Sequence, residues 1–294
     1  MLFKLSPPRA YLYAAIAVLG WSTVASAFKI TLRSLSVVEM LFYSSAASAL
    51  LLVSIRRTSR DTTPLPPLKS CLKIGALVPC SYYAILFQAY DLLPAQYAQA
   101  LNYSWPLAMS LLAILFLKEP IQRKRMAALL LGFGGILIIC LSKGPIPELG
   151  TNDIVGMALA IGSAVFWAAY WIWMLKSPYS PLSFLTGGFL GSLPYLLCAW
   201  LITNPLSFPS IPGILGCLYI GVFEMGLTFY LWSSALKMSS QVTSIANLAY
   251  LSPFLSLMWI YWVLGEPLEE LAILGLVVLV CAILLGTAKY ADQE

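Results

Sequence analysis

The sequence contains no histidine and few charged residues. Histidine is absent from the 294 residues, and only 10% of them are Asp, Glu, Lys or Arg, whereas a typical soluble domain is about one quarter charged. The missing histidine removes the commonest metal ligand and the usual proton carrier at neutral pH. We therefore expect neither an enzyme nor a bound metal or cofactor.

Other signatures of function are missing as well. The six cysteines show no CxxC spacing, which favours small apolar packing residues over metal ligands. The glycine run at 132–135 is not followed by GKS or GKT, so it predicts close helix packing rather than phosphate binding. The net charge is +5, but the sequence contains no long run of basic residues. This pattern argues against nucleic acid as a partner.

Long apolar runs dominate the chain instead. Hydrophobic residues make up 60% of it, and the longest runs can cross ~30 Å of hydrocarbon as helices at about 1.5 Å per residue. Because lipid offers the backbone no hydrogen-bond partners, each run is predicted to be a helix. The predicted fold class is an all-α integral membrane protein. Its ten predicted transmembrane helices lie at residues 10–28, 37–55, 71–90, 95–117, 126–141, 154–175, 182–203, 211–236, 242–264 and 271–288.

Lysine and arginine are distributed unevenly between the two sides of the predicted membrane. Of the 17 such residues, all but Lys29, Arg33 and Lys143 lie on the side of the amino terminus. Since positive residues concentrate in cytoplasmic loops, both termini are predicted to be cytoplasmic in a multi-pass protein of the cytoplasmic (inner) membrane. The basic cluster from Lys118 to Arg125 is interpreted as a positive anchor with optional contact to anionic lipid.

The two halves of the chain resemble each other at an offset of 147 residues. A tyrosine, a proline and a Glu-Pro pair recur in the same order, as Tyr103, Pro106, Glu119 and Pro120, then as Tyr250, Pro253, Glu266 and Pro267. We therefore predict two five-helix domains, 1–147 and 148–294. Copies with an odd number of spans enter the membrane from opposite faces, so the halves form an inverted repeat, which is an architecture of secondary transporters.

The order and duplication of these motifs resemble the drug/metabolite transporter superfamily, whose members contain EamA-type halves. The resemblance covers nearly the whole chain, and the further motifs that carry it are Gly20-Trp21-Ser22, Ser252-Pro253-Phe254, Gly265-Glu266-Pro267 and the stretch 231–237. Ser81-Tyr82 and the run from Asn102 to Pro106 are similar to the aromatic amino acid exporter subgroup. The resemblance implies a ten-helix transporter, with aromatic or other neutral amino acids as the first substrates to test.

Glu224 is the only acidic residue that lies deep inside a predicted span. A charge there costs on the order of a few kcal/mol, so an intramembrane carboxylate indicates a functional site by default. At helical spacing it shares a face with Cys217, Gly221 and Thr228, whose small side chains leave room for a cavity or a close helix. We expect Glu224 to accept a proton or to pair with a substrate amine. A protonated, hydrogen-bonded packing residue is the alternative.

Aromatic residues form a second candidate set for substrate binding. Trp167, Tyr170 and Trp171 follow helical spacing on the sixth span, and Trp21 holds a related position in the first span. Tryptophan and tyrosine are also common in interfacial belts, but Trp21 and Trp167 lie in the middle of their spans. Such a face suits stacking on a planar or amphipathic ligand.

The fourth span supplies polar candidates. Asn102 and Trp105 share a face, and Pro106 lacks a backbone donor, which frees a carbonyl near Asn102. A broken turn of this kind can bind a polar group of a substrate, although a packed kink has the same signature. Further candidates are Asn247 and Tyr250 on the ninth span and Tyr82 on the third.

These features predict a secondary transporter or facilitator that exports a small amphipathic metabolite by alternating access. Proton-coupled drug efflux and uptake or exchange of a nucleoside-like cofactor stay open, because an aromatic site accepts any flat ligand. An intramembrane enzyme would need clustered acid, base or metal groups, and a non-transporting scaffold would not need Glu224. The expected partners are the small-molecule substrate and the lipid bilayer, with proton coupling open and no required protein partner.

Overall fold

The described part of the chain is helical and contains no β-strand. A computed structural model describes residues 7–93, 98, 101–141, 150–203, 209–259, 262 and 270–287. The helices are α1 (Pro8–Thr31), α2 (Val37–Thr58), α3 (Leu68–Gly75), α4 (Tyr82–Leu92), α5 (Trp105–Leu117), α6 (Arg123–Leu141), α7 (Thr151–Lys176), α8 (Pro181–Thr203), α9 (Ile211–Ile220), α10 (Leu227–Met238), α11 (Val242–Leu248), α12 (Leu251–Trp259) and α13 (Glu270–Thr287).

Each of the ten predicted spans contains a helix. The third span is α3 and α4 joined by a kink at Ala76–Ser81, and the eighth is α9 and α10 joined by a π-helical turn at Gly221–Gly226. Within the described residues, the helical stretches long and apolar enough to cross a membrane are Val37–Thr58, Leu68–Ala89, Thr151–Lys176, Pro181–Thr203 and Ile211–Met238. Shorter apolar helices lie at Trp105–Leu117 and Ile273–Leu285. The predicted all-α membrane fold is confirmed.

Helical geometry breaks at equivalent places in the two halves. One break is a kink at Ala76–Ser81, where Val78 has extended backbone angles, and the other is a π-helical turn at Gly221–Gly226, at nearly the offset of the sequence repeat. The fourth and ninth spans are interrupted by turns at residues 103–104 and 249–250. π-Helical turns often lie at functional sites, and interrupted helices in transporters line binding sites. The breaks therefore indicate where polar chemistry is located in an otherwise apolar chain.

The chain divides into two compact units, and each takes helices from both halves of the sequence. The first unit comprises Pro8–Ala84 and Trp173–Met238. The second comprises Ile85–Ile172 and Ser239–Glu294, together with Met1–Pro7. The predicted junction of the repeat halves, between 147 and 148, lies outside the described residues.

Small residues allow the helices of the first unit to approach closely. α3 packs on α8, where a β-carbon added to Gly191 would strike the carbonyl group of Cys71. α1 packs on α10, with Gly20 directly against Thr228. Small residues in membrane helices permit this backbone contact, which replaces the hydrophobic driving force that lipid does not provide. The small face predicted around Glu224 is therefore filled by neighbouring helices.

A polar network fixes the loop between α2 and α3 to the start of α8. Arg56 Nη1 donates to Ser183 Oγ at 2.5 Å, and its Nη2 donates to the carbonyl of Thr63. Asp61 accepts hydrogen bonds from the hydroxyls of Thr63 at 2.6 Å and Ser180 at 3.2 Å. Partial burial raises the pKa of the Asp61 carboxyl, but these hydrogen bonds and nearby Arg56 outweigh it and hold the pKa below its usual value. An ionised carboxylate thus anchors this loop.

In the second unit, α6 and α13 form the tightest helix pair. A β-carbon added to Gly135 would lie 2.9 Å from the carbonyl oxygen of Gly275, and one added to Gly132 would lie 2.5 Å from the ring of Tyr250. The apolar core between these helices includes Leu129, Ile136, Leu279 and Tyr250. The prediction that the glycine run at 132–135 serves helix packing is confirmed at these two positions.

Glu119, from the repeated Glu-Pro motif, caps the start of α11. Its carboxylate accepts hydrogen bonds from the backbone N–H of Val242 at 2.9 Å and of Thr243 at 3.3 Å. Burial raises the pKa of the Glu119 carboxyl, although these hydrogen bonds and the charge of Arg125 act in the opposite direction. The side chain satisfies backbone donors that a helix start leaves without partners.

We expect Glu119→Ala to lower the melting temperature of the detergent-solubilised protein, because two backbone donors at the start of α11 lose their acceptor. Loss of a helix cap costs roughly 0.5–2 kcal/mol. Glu119→Gln keeps one side-chain acceptor and should be affected less. Equal melting temperatures for the wild type and Glu119→Ala would show that the cap does not contribute to stability.

Candidate functional site

Glu224 lies in the π-helical turn Gly221–Gly226, and its carboxylate receives a hydrogen bond from Tyr83. The Tyr83 hydroxyl donates to Glu224 Oε1 at 2.8 Å. Tyr83 belongs to the start of α4, just after the kink at Ala76–Ser81. The bond therefore connects the break in the third span to the break in the eighth, within the first unit. Tyr83 is 2% exposed, whereas Glu224 keeps part of its surface accessible.

The main chain of the same turn is held by other side chains. Trp21 Nε1 donates to the carbonyl oxygen of Glu224 at 3.1 Å, and the Thr228 hydroxyl donates to the same oxygen. Ser48 Oγ donates to the carbonyl of Gly221 at 2.8 Å. A π-helical turn disturbs the regular backbone hydrogen bonds, so these side chains satisfy carbonyls that have no water available. The position of the Glu224 carboxylate is thus fixed from both its backbone and its side chain.

Further aromatic rings pack against the two aromatic residues that bind Glu224, Trp21 and Tyr83. The ring of Trp21 lies 5.1 Å from that of Trp232 and 6.3 Å from that of Phe229, between centroids. Tyr82 packs on Tyr83 at 4.9 Å with a tilt of 66°. Aromatic faces attract cations as well as planar groups. We name Glu224, Tyr83, Tyr82, Trp21 and Trp232 the carboxylate cluster.

Glu224 has no cationic partner among the described residues. No lysine or arginine in that part of the chain forms an ion pair with it, and its second oxygen, Oε2, receives no hydrogen bond there. A carboxylate inside a membrane-spanning helix is normally paired or protonated, because leaving it ionised and unpaired there is costly. The cluster can therefore bind a proton or the cationic group of a ligand.

The second unit brings together two sets of residues that the sequence suggested separately. Asn102 Nδ2 donates to Ser163 Oγ at 2.9 Å, and Ser163 Oγ donates to the carbonyl of Ala160 at 2.7 Å. Ser163 lies one helical turn before Trp167 on α7. The bond thus holds the interrupted fourth span beside the aromatic face of the sixth. Asn102 is 9% exposed and Trp167 is 5% exposed.

The aromatic residues of α7 contact one another as their spacing predicts. The ring of Trp167 is stacked on that of Tyr170, with centroids 6.0 Å apart and an interplanar angle of 13°. Trp171 meets Trp167 edge to face at 5.1 Å. All three side chains are buried within the protein. We name Asn102, Ser163, Trp167, Tyr170 and Trp171 the amide-aromatic cluster.

The remaining candidates lie elsewhere in the second unit. Asn247 Nδ2 donates to the carbonyl oxygens of Ala282 and Ile283, at 3.4 Å each. Tyr250 is fully buried in the core between α6 and α13. Trp105 is 5% exposed at the start of α5. Among the described residues, no group of three His, Cys, Asp or Glu side chains could hold a metal ion.

Sequence reasoning did not identify Tyr83 or Ser163. Tyr83 follows Tyr82 directly, and the motif resemblance directed attention to Tyr82 alone. A serine in an apolar helix is too common to be distinctive, so Ser163 carried no signal. The proline at position 79, three residues before Tyr82, could have indicated a break in the third span. The contact between Tyr83 and Glu224 joins residues separated by 141 positions and has no local signature.

Several proteins are similar in sequence to this chain over long stretches. The chain is 26% identical to protein PecM of Dickeya dadantii, covering 72% of this chain and 71% of that protein. It is 26% identical to the uncharacterized transporter YvbV of Bacillus subtilis, with 80% and 75% covered. It is 23% identical to an uncharacterized transporter of Archaeoglobus fulgidus over 96% of this chain and 98% of that protein.

A solved structure and a family model lead to the same classification. The alignment with a solved crystal structure has a TM-score of 0.82 at 20% sequence identity. It covers 95% of this chain and 98% of the chain in that structure. It establishes the shared fold. The model of the EamA-like transporter family matches the chain twice, at residues 8–141 and 154–287. Both halves of the predicted repeat are matched, and the protein therefore belongs to the EamA-like transporter family of multi-pass membrane transporters.

Proposed function

We propose that this protein is a secondary transporter for a small amphipathic metabolite that carries an amine, with aromatic or neutral amino acids as the first candidates. The observation that supports this most directly is the carboxylate of Glu224, which forms no ion pair with a described lysine or arginine and lies in a turn whose backbone is bound by Trp21. The carboxylate supplies the charge for an ammonium group, and the indole supplies an aromatic face.

The proposal includes alternating access and export. The two repeat halves, 1–147 and 148–294, would exchange conformations so that the bound metabolite is released on the other side of the membrane. Interrupted helices support this mechanism, since local breaks in helices are where small movements can be accommodated. The distribution of lysine and arginine supports a cytoplasmic membrane location with both termini in the cytoplasm.

The test is transport by the purified protein in proteoliposomes. Uptake and counterflow would be measured with a panel of labelled aromatic and neutral amino acids, a cationic drug and a nucleoside, each with and without a pH gradient. We expect saturable flux of an aromatic or neutral amino acid above that of protein-free vesicles. Absence of specific flux for every member of the panel would contradict the proposal.

The same panel separates the alternatives. Flux of the cationic drug that depends on the pH gradient would favour proton-coupled drug efflux, with Glu224 as the proton carrier. Flux of the nucleoside would favour uptake or exchange of a nucleoside-like cofactor, in which stacking on aromatic residues dominates. Counterflow in the absence of a gradient would favour exchange or facilitated movement over proton coupling.

A further inference from the structure

A basic segment connects α5 to α6. Lys118 directly follows the last residue of α5, and Arg123, Lys124 and Arg125 begin α6. The two helices pack on each other and are joined by the five residues 118–122, so the end of one and the start of the other lie at the same end of the pair. Lys118, Arg123 and Lys124 are exposed, and we name these three residues the basic surface.

The one acidic residue of this segment is engaged elsewhere in the second unit. The carboxylate of Glu119 accepts two backbone N–H groups at the start of α11, and the cation that acts on it is Arg125. Within the described part of the chain, the side chains of Lys118 and Arg123 form no hydrogen bond or ion pair. The charges of these two residues are therefore available to a ligand.

The cations of α6 lie at the unfavourable end of their helix. The start of a helix carries a partial positive charge, which disfavours lysine and arginine and favours an anion. The first turn of α6 contains three basic residues and no acidic one. In contrast, Arg57 and Lys73 lie in the last turns of α2 and α3, where a cation is stabilised. The start of α6 thus favours an added anion, whereas the ends of α2 and α3 need none.

Exposed apolar side chains lie next to the basic surface in the sequence. Leu115 is 71% exposed, Phe116 is 55% exposed and Ile121 is 69% exposed, and all three are within three residues of Lys118. Exposed cations beside exposed apolar side chains at the end of a membrane helix are typical of the boundary between headgroups and acyl chains. A phospholipid can use both kinds of side chain, whereas a soluble phosphate can use only the cations.

We propose that the basic surface binds the headgroup phosphate of an anionic phospholipid, whose acyl chains lie against the exposed apolar side chains around Lys118. Lys118 and Arg123 supply charge from the two ends of the connection, and the guanidinium of Arg123 can donate paired hydrogen bonds to a phosphate. Because Glu119 in the same connection caps α11, the bound lipid should stabilise the ninth span as well as α6. This inference does not depend on which metabolite the protein transports.

The experiment titrates the wild-type 294-residue chain, in a neutral detergent, with dioleoylphosphatidylglycerol or dioleoylphosphatidylcholine. The two lipids have the same acyl chains and differ in the net charge of their headgroups. We expect phosphatidylglycerol to raise the melting temperature at concentrations at least about tenfold lower than phosphatidylcholine, because each nearby lysine or arginine strengthens the binding of an anionic lipid. Equal effects of the two lipids would overturn the inference.

The double variant Lys118→Gln/Arg123→Gln provides the second measurement. It should shift the titration with phosphatidylglycerol to concentrations at least about tenfold higher and leave the titration with phosphatidylcholine unchanged. Arg57→Gln/Lys73→Gln is the matched control, because it removes one arginine and one lysine from exposed positions at helix ends. An equal loss in both double variants would overturn the inference, since it would show attraction by net charge alone.

Inorganic phosphate distinguishes a lipid from a free anion. We expect phosphate to leave the melting temperature unchanged at the concentrations at which phosphatidylglycerol acts, because phosphate gains nothing from the apolar side chains around Lys118. Stabilisation by phosphate equal to that by phosphatidylglycerol would assign the basic surface to a soluble anion and would contradict the inference.

Discussion

Glu224→Gln is expected to reduce substrate flux by at least about tenfold while the protein still folds. Glutamine has nearly the same shape and keeps a carbonyl oxygen that can accept the hydrogen bond from Tyr83, so the contact between the third and eighth spans is preserved. It removes the negative charge that would bind an ammonium group or a proton, and a charged partner contributes about 1.5–3 kcal/mol to such a hydrogen bond. Initial flux in proteoliposomes, normalised to the amount of reconstituted protein, measures the effect.

The control for this variant is Glu270→Gln. Glu270 is an exposed carboxylate in the first turn of α13, so it tests the loss of a carboxylate outside the carboxylate cluster. Unchanged flux in Glu224→Gln would assign Glu224 to packing and remove it from the transport mechanism. Loss of gradient-driven flux with normal counterflow would instead identify Glu224 as the carrier of a coupling proton.

Trp167→Ala is expected to lower flux of an aromatic substrate by about tenfold, in keeping with the contribution of aromatic contacts. Trp167 stacks on Tyr170 and lies one turn from Ser163, which holds Asn102. Removing the indole eliminates one of the two largest planar side chains of the amide-aromatic cluster. The melting temperature should fall as well, because a buried tryptophan replaced by alanine leaves a cavity.

Trp167→Phe separates these two effects. It keeps an aromatic ring and most of the packing, so it should retain more stability than Trp167→Ala while still showing reduced flux. Trp262→Ala is the matched control, since Trp262 is 63% exposed and its loss leaves no cavity. Full flux in both Trp167 variants would exclude the amide-aromatic cluster from substrate binding.

The helical fold was predictable from the sequence alone, because a lipid bilayer restricts which backbone structures can span it. Hydrocarbon requires every backbone group to be bonded within its own segment, so length and apolar composition were sufficient to place a helix in each of the ten spans. The repeat was readable for a similar reason. Tyrosine, proline and Glu-Pro at a constant offset are unlike the surrounding apolar residues, and the family model matches the same two halves.

Candidate site residues were predictable only where a residue type was rare in its surroundings. Glu224 was identified because an acid inside an apolar span is unusual, and the structure places it in a π-helical turn. Tyr250 was selected by its place in the repeat, yet it lies in the core between α6 and α13. A repeated motif therefore indicated equivalent positions in two halves without indicating which of them faces a polar site.

The sequence by itself determined the membrane-embedded helices, the internal repeat and the rare carboxylate at position 224, because each can be read from residue types and their order along the chain. Only the tertiary structure decided which side chains meet that carboxylate. The hydrogen bond from Tyr83, the contact of Trp21 with the backbone of Glu224, and the bond from Asn102 to Ser163 all join different helices. Such contacts depend on how closely two helices pack and on where a helix departs from regular α-helical geometry. No local sequence pattern encodes the distance between side chains of different helices.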